Sequence, residues 1–285
     1  MVTKRPWRKI LYEEQDYPDN YVDRSFLEEL RKNLHVCTYD YTTLLFESTS
    51  ITQQISSIGI FITMFFYMED HSISAQILWL MMSALTIIGY ICNVVLTTWL
   101  GQTLSVATFL QHLKTCLLFQ GFSATLSPVL VSLTETISTD TIYAMTTVML
   151  FANLLFYNYN CNNHSVPGAL SLNAAIFASV CLASRLHTTW HAFTTVTTSF
   201  QLFALWPVLR QNIKVSHPRV HTWLTLFVAV ICIIGLGSKT IVGAVLYTLI
   251  IFLVTFIFPA WFCSLQPQKN NIYGPWDEAV ISEPS

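Results

Sequence analysis

Along the chain, polar positions dominate up to about residue 43, apolar positions dominate from there to about residue 262, and the end is polar again. Within the apolar part, short polar breaks separate eight runs. They are Leu44–Met68, Ile77–Leu96, Thr115–Leu133, Ile142–Tyr159, Ala169–Leu186, Ala192–Leu209, Val220–Leu236 and Ile241–Phe262. A helix needs about 20 mainly apolar residues to cross a bilayer, and about 17 is the lower limit. Each run therefore predicts a crossing, several of them near that limit. The third is the weakest, because Gln120, Gly121, Ser123, Ser127 and Pro128 argue for a kink or a re-entrant segment. The expectation is an all-α polytopic membrane protein of about eight transmembrane helices. Its membrane domain spans 44–262, between a polar segment (1–43) and a short tail (263–285).

The stretch "DYPDNYVDRSFLEELRKN" stands apart, with eight charged residues from Asp16 to Lys32. Pro18-Asp19-Asn20 signals a turn. Ser25 and Glu28 have capping-box spacing, although Asp23 also suits the cap, with Val22 and Leu27 as a staple. The predicted helix puts Phe26, Leu27, Leu30 and Leu34 on one stripe, and Glu28 and Lys32 pair across a turn on the other side. A helix of about ten residues is marginal alone. Its stripe must bury against the bilayer interface, a partner, or the protein's own polar face.

Composition agrees with the pattern. Hydrophobic residues make up 53% of the 285 and charged residues 11%, against about 25% charged in soluble domains; mean hydropathy is +0.51. The net charge of −2 says nothing useful about partners, and no basic run suggests nucleic acid. The basic opening lacks the apolar stretch of a signal peptide, so insertion is expected to rely on the first crossing. Seven cysteines are scattered singly, with no CxxC, and read as small hydrophobes.

Lys and Arg set the orientation. Lys4, Arg5, Arg8, Lys9, Arg24, Arg31, Lys32, Lys114, Arg210, Lys214, Arg219 and Lys269 all fall on one side of an eight-helix topology. Only Arg185 and Lys239 fall on the other. Both termini are thus expected in the cytosol. The sequon Asn163-His164-Ser165 then lies in a cytosolic loop and should carry no glycan.

Candidate chemistry is sparse. "HTTWH" (His187, His191) has an i,i+4 spacing but lacks the glutamate of HExxH and falls at a turn; "HPRVH" (His217, His221) contains Pro218. Both read as solvated loop histidines. In "TETISTDT", Glu135 and Asp140 form a carboxylate pair suited to acid–base or metal chemistry. The simpler reading is a capped turn, with Ser138, Thr139 or Asp140 as the cap. Arg185 reaches the same face and is expected to pair with Glu135 or Asp140, since unpaired charge near lipid is costly. The glycines Gly235, Gly237 and Gly243 lack a phosphate-loop context. Ala174, Ala175, Ala178, Ser179, Gly243 and Ala244 suit close helix packing. There is no DxD, no GxSxG and no pair of glutamates eight apart. No catalytic residue, metal site or cofactor is assigned.

Five ordered blocks carry a family resemblance: "PWRKILYEEQDYPDNYVDRSFLEELRKN", "TETISTDTIYAM", "SLNAAIFASVCLASRL", "FALWP" and "IYGPWDEAVI". Together they resemble the C subunits of phosphatidylinositol N-acetylglucosaminyltransferase, from about Pro6 to Ile281. The resemblance implies a multipass endoplasmic-reticulum protein in a multi-subunit complex. That complex moves N-acetylglucosamine from UDP-N-acetylglucosamine to phosphatidylinositol, the first step of GPI-anchor synthesis, on the cytosolic face. It also implies that another subunit performs the transfer. This chain would scaffold that subunit and present lipid, docking through Phe26, Leu27, Leu30 and Leu34 and through Trp276, Asp277 and Glu278. Two alternatives stay open. One is a lipid transporter or scramblase, which Gln120, Asn153 and Asn173 within the runs would suit. The other is a self-sufficient transferase using Glu135 and Asp140.

Overall fold

The computed structural model describes residues 14–15, 17–18, 21, 38–99, 105–132, 137–159 and 168–268. The expected amphipathic helix with Phe26, Leu27, Leu30 and Leu34, the carboxylate of Glu135, and Trp276, Asp277 and Glu278 lie outside these residues.

Among the described residues every regular element is a helix. In chain order they are α1 (Tyr41–Glu69), α2 (Ala75–Trp99), α3 (Val106–Ser132), α4 (Thr139–Phe156), α5 (Ala169–Ala183), α6 (Thr189–Ser216), α7 (Pro218–Lys239) and α8 (Ile241–Gln268). Helices suit a bilayer because they satisfy their own backbone polar groups. The eight apolar runs each become a helix, but among the described residues only seven helices are long and apolar enough to cross. Helix α5 has 15 residues, or about 22 Å against a hydrocarbon core of about 30 Å. It still links the two ends of the bundle. Ser171 near its start bonds Asn153 near the end of α4, and Ala183 at its finish packs with Leu130 of α3 and Ala192 of α6. Ala174, Ala175, Ala178 and Ser179 are buried, as expected of small residues at close helix contacts.

Several features differ from the apolar pattern. Helix α3 begins nine residues earlier than Thr115 and runs unbroken through Pro128. Helix α6 continues past Leu209 to Ser216, so Arg210 and Lys214 are helical residues, not loop residues. Helices α6 and α8 each contain a π-turn, at Gln201–Leu205 and Leu253–Ile257. Each turn ends two residues before a proline, Pro207 or Pro259. A proline ring clashes with the carbonyl four residues back, here Phe203 or Thr255, and removes its N–H partner. The wider turn accommodates that carbonyl, and the i→i−5 bonds Trp206 N–H to Gln201 O and Phe258 N–H to Leu253 O close it.

The chain forms two compact units, 44–259 and the flanking segments up to 43 and from 260. In the smaller unit the rings of Tyr39 and Phe262 meet edge to face at 6.0 Å. In the larger, α1 is central. Phe61, Phe65 and Met68 pack with Leu78 and Met82 of α2, Ala178 and Leu182 of α5, and Phe203 of α6. Gly59 lets α7 come close, since a Cβ there would lie 2.4 Å from the Cys232 sulfur. The polar residues of α1 are also buried. Ser56, Ser57 and Thr63 donate to the carbonyls of Thr52, Gln53 and Gly59, four residues back, so their hydroxyls remain satisfied away from water.

Candidate functional site

The ends of α1, α4, α5, α6 and α7 converge at one end of the bundle around two buried cations. Arg210 and Lys214 lie one turn apart on α6 and are only 3% and 6% exposed. Both sit near the helix C-terminus, whose partial negative charge favours cations. Lys214 is well matched. Its Nζ donates to Glu47 Oε2 at 2.7 Å and to Ser50 Oγ at 2.8 Å, and it lies 5.3 Å from the Phe46 ring centre.

Among the described residues Arg210 meets only neutral partners. It donates through Nη2 to Gln54 Oε1 at 2.6 Å, and its guanidinium sits 4.7 Å above the Tyr157 ring. Its Nη1 has no hydrogen-bond partner. From Gln54 the network continues inward. Gln54 Nε2 donates to Asn153 Oδ1 at 2.7 Å, and Asn153 Nδ2 donates to Ser171 O and Oγ, each at 2.9 Å. Ser171 Oγ returns a bond to the Asn153 carbonyl at 2.9 Å. Helices α1, α4, α5 and α6 are thereby joined by one chain of side-chain bonds, which satisfied polar networks make specific and rigid.

A second branch leads to α7. His221 Nδ1 lies 3.3 Å from Thr49 Oγ1, and Gln53 Nε2 donates to Thr225 Oγ1 at 2.7 Å. His221 is 1% exposed, which corrects its reading as a solvated loop histidine: it lies in the first turn of α7, facing α1. Between these groups is a small cleft of about 20 Å³, walled by Ser50, Tyr157, Arg210, Lys214 and His221 and rimmed by Asn158, Tyr159 and Gln211. Tyr159 donates to Leu154 O at 2.7 Å. Burial pushes its phenol well above the usual range, against the opposing pull of the Arg210 charge, so it stays protonated.

The opposite end holds the residues that the sequence singled out. Ser138 caps α4 by accepting from Thr141 N–H, and Asp140 is exposed in the first turn. Arg185 is half-buried on the wall of a recess of about 420 Å³ that also includes Glu69, Tyr143 and Ser184. The Tyr143 hydroxyl donates to Glu69 Oε1 at 3.0 Å. Glu69, which the sequence alone does not single out, is thus a carboxylate in the Arg185 recess. His71 stacks on His187 at 5.4 Å and meets His191 edge-on at 5.9 Å. Among the described residues no group of three or more His, Cys, Asp or Glu is placed to hold a metal ion.

The apolar pattern puts Arg210 and Lys214 in a loop, as orientation signals, and does not single out Gln53 or Gln54. The available signal was a pair of adjacent amides inside an apolar run, which demand partners away from water. Asn153, which by sequence suits lipid handling, is a buried member of this network. Asn173, noted beside it, is exposed.

Fold and site together define a polytopic helical membrane protein with a buried basic cluster at one end of its bundle. The chain belongs to the GPI2 family, phosphatidylinositol N-acetylglucosaminyltransferase, whose profile matches residues 7–277. It is 45% identical over 279 residues to the C subunit of phosphatidylinositol N-acetylglucosaminyltransferase from Homo sapiens, covering 97% of this chain and 93% of the relative. The proteins of the same name from Bos taurus and Mus musculus are 45% and 44% identical over 277 residues, with the same coverage of 97% and 93%. No solved structure matches the chain.

Proposed function

We propose that this chain is a non-catalytic integral subunit of the complex that transfers N-acetylglucosamine from UDP-N-acetylglucosamine to phosphatidylinositol, the first step of GPI-anchor synthesis. It resides in the endoplasmic-reticulum membrane with both termini in the cytosol. It holds the catalytic subunit at the bilayer and presents lipid to it. Membership of the family over nearly the whole chain carries this reading. The fold supports it, because the polar side chains of the central helices join helix to helix and build a stiff platform. The docking elements are the apolar stripe Phe26, Leu27, Leu30 and Leu34 and the tail residues Trp276, Asp277 and Glu278. The lumenal polar cluster comprises Glu135, Asp140 and Arg185, and its role is to keep charge paired near lipid.

The test is purification of the tagged chain in mild detergent, with identification of the proteins that accompany it and a sugar-transfer assay. Transfer activity and a distinct glycosyltransferase subunit should co-purify. A chain that purifies alone and transfers sugar unaided would overturn the non-catalytic role. Leu30→Asp and deletion of residues 272–285 should each weaken co-purification; unchanged yields would remove those segments as docking elements. A glycosidase-sensitive mass shift at Asn163 would overturn the orientation.

A further inference from the structure

We propose that the Arg210–Lys214 cleft binds the phosphodiester of an anionic phospholipid headgroup. This deepens the lipid-presenting part of the function proposed above and rests on it.

Among the described residues the charges of the cleft do not balance. Arg210 is 3% exposed, its hydrogen bond goes to a neutral amide oxygen, and its Nη1 has no hydrogen-bond partner among the described residues. A buried guanidinium facing only neutral groups is costly in a low-dielectric site. Guanidinium forks match phosphate oxygens in geometry and charge. Lys214, one turn away on the same wall, adds a second cation, and Glu47 is the one carboxylate in ion-pair contact with either among the described residues. Two positive charges against one negative leave one to be matched. A phosphodiester carries a single negative charge and matches it. A zwitterionic headgroup would bring its own cation against Lys214.

Position separates a lipid phosphate from a soluble one. Arg210 lies six residues before the end of α6 at Ser216, about 9 Å along the axis. The cleft walls come from helices long and apolar enough to cross a membrane, together with Tyr157 just past the end of α4. This is headgroup depth, where tyrosines with a buried ring and a wet edge are at home. At about 20 Å³ the cleft holds one water-sized body. It therefore admits a single non-bridging phosphate oxygen toward Arg210 Nη1. The rest of the headgroup lies outside the rim at Asn158 and Gln211, where a partner protein can reach it.

The test uses the assembled complex in nanodiscs of equimolar phosphatidylcholine and phosphatidylinositol, with bound lipid read by native mass spectrometry and subunits by co-purification. Wild type should retain phosphatidylinositol over phosphatidylcholine. Arg210→Gln should lower that preference by about tenfold or more while the other subunits still co-purify. Unchanged preference in an intact complex overturns the site and leaves the scaffold reading standing. Loss of the partner subunits from wild type under the same conditions counts against the scaffold instead. Should Arg210→Gln fail to assemble, two charge-conscious variants decide. Arg210→Lys, which keeps the charge but loses the fork, should weaken the preference. Glu47→Gln, which removes the competing carboxylate, should strengthen it. No change in either overturns the proposal. Displacement of the lipid by millimolar inorganic phosphate would show a free-phosphate site and overturn the lipid assignment.

Discussion

Helices α1 and α8 are nearly equal in length, 29 and 28 residues, and both are apolar enough to cross a membrane. Their surroundings are opposite. In the most apolar window of α1, 56% of residues are buried; in that of α8, 6% are. Among the buried residues of α1 are Ser48, Thr49, Ser50, Thr52, Gln53 and Gln54, whereas α8 presents Val245, Leu246, Leu249 and Phe252 outward. In water the apolar helix would be the buried one. In lipid the outside is as apolar as leucine, so burial brings little hydrophobic gain, and hydrogen bonds and close packing decide which helix lies inside. The more polar helix is central because only neighbouring helices can satisfy Gln53 and Gln54. Helix α6 follows the same rule, with 67% of its window buried.

The sharpest way to break this contrast is Gln54→Leu. It removes the amide between Arg210 and Asn153 and strands a buried cation. The expected loss is about 3 kcal/mol in thermal or detergent unfolding of the purified complex. A loss below about 0.5 kcal/mol would show that the network does not hold α1 in place. Next comes Gly59→Ala, which drives a methyl against Cys232 on α7. Overpacking of this kind costs about 2 kcal/mol. The double variant with Cys232→Ala should recover most of it, and failure to recover would mean that the two helices do not meet there.

A smaller effect lies at the exposed start of α1. Asp40 accepts from the Thr42 hydroxyl, which holds its carboxyl below the usual 3.8. A depressed carboxyl contributes stability above its unfolded pKa and loses it as pH falls through the folded value. Thr42→Ala should return the titration toward 3.8, read by NMR. An unmoved titration would remove that hydroxyl as the cause. The smallest effect is expected on α8. Thr248 is exposed and, among the described residues, bonds only the Ala244 carbonyl of its own helix, so Thr248→Val should change stability by less than about 0.5 kcal/mol. If it matches Gln54→Leu, the inside–outside distinction is wrong.

Much of the fold was legible because crossing a bilayer imposes a local rule on composition. All eight apolar runs became helices, and Ser138 proved to be one of the caps considered for α4. Helix ends were less legible where polar residues continue a helix beyond its apolar run, as Arg210 and Lys214 do. The apolar pattern gives no sign of the π-turns before Pro207 and Pro259, although a proline ring in a helix interior clashes with the carbonyl four residues back. The basic cluster was the least legible part. Arg210, Gln54, Asn153 and Ser171 lie on four helices, and Gln54 and Arg210 are separated by 156 positions.

The order of residues alone was enough to establish a polytopic helical membrane protein and the family it belongs to. The length of an apolar run is a one-dimensional property that bilayer thickness reads directly, and long ordered blocks identify a family without a fold. Which helices are central, and which cation is left without an anion among the described residues, emerged only from the packed bundle. A polar side chain in a helix can be satisfied by its own carbonyls, by a neighbour or by a ligand, and only the packing of the eight helices selects among the three. For Ser56 it selects a carbonyl one turn back together with the Tyr247 hydroxyl, for Gln54 an asparagine on α4, and for Arg210 Nη1 neither of these.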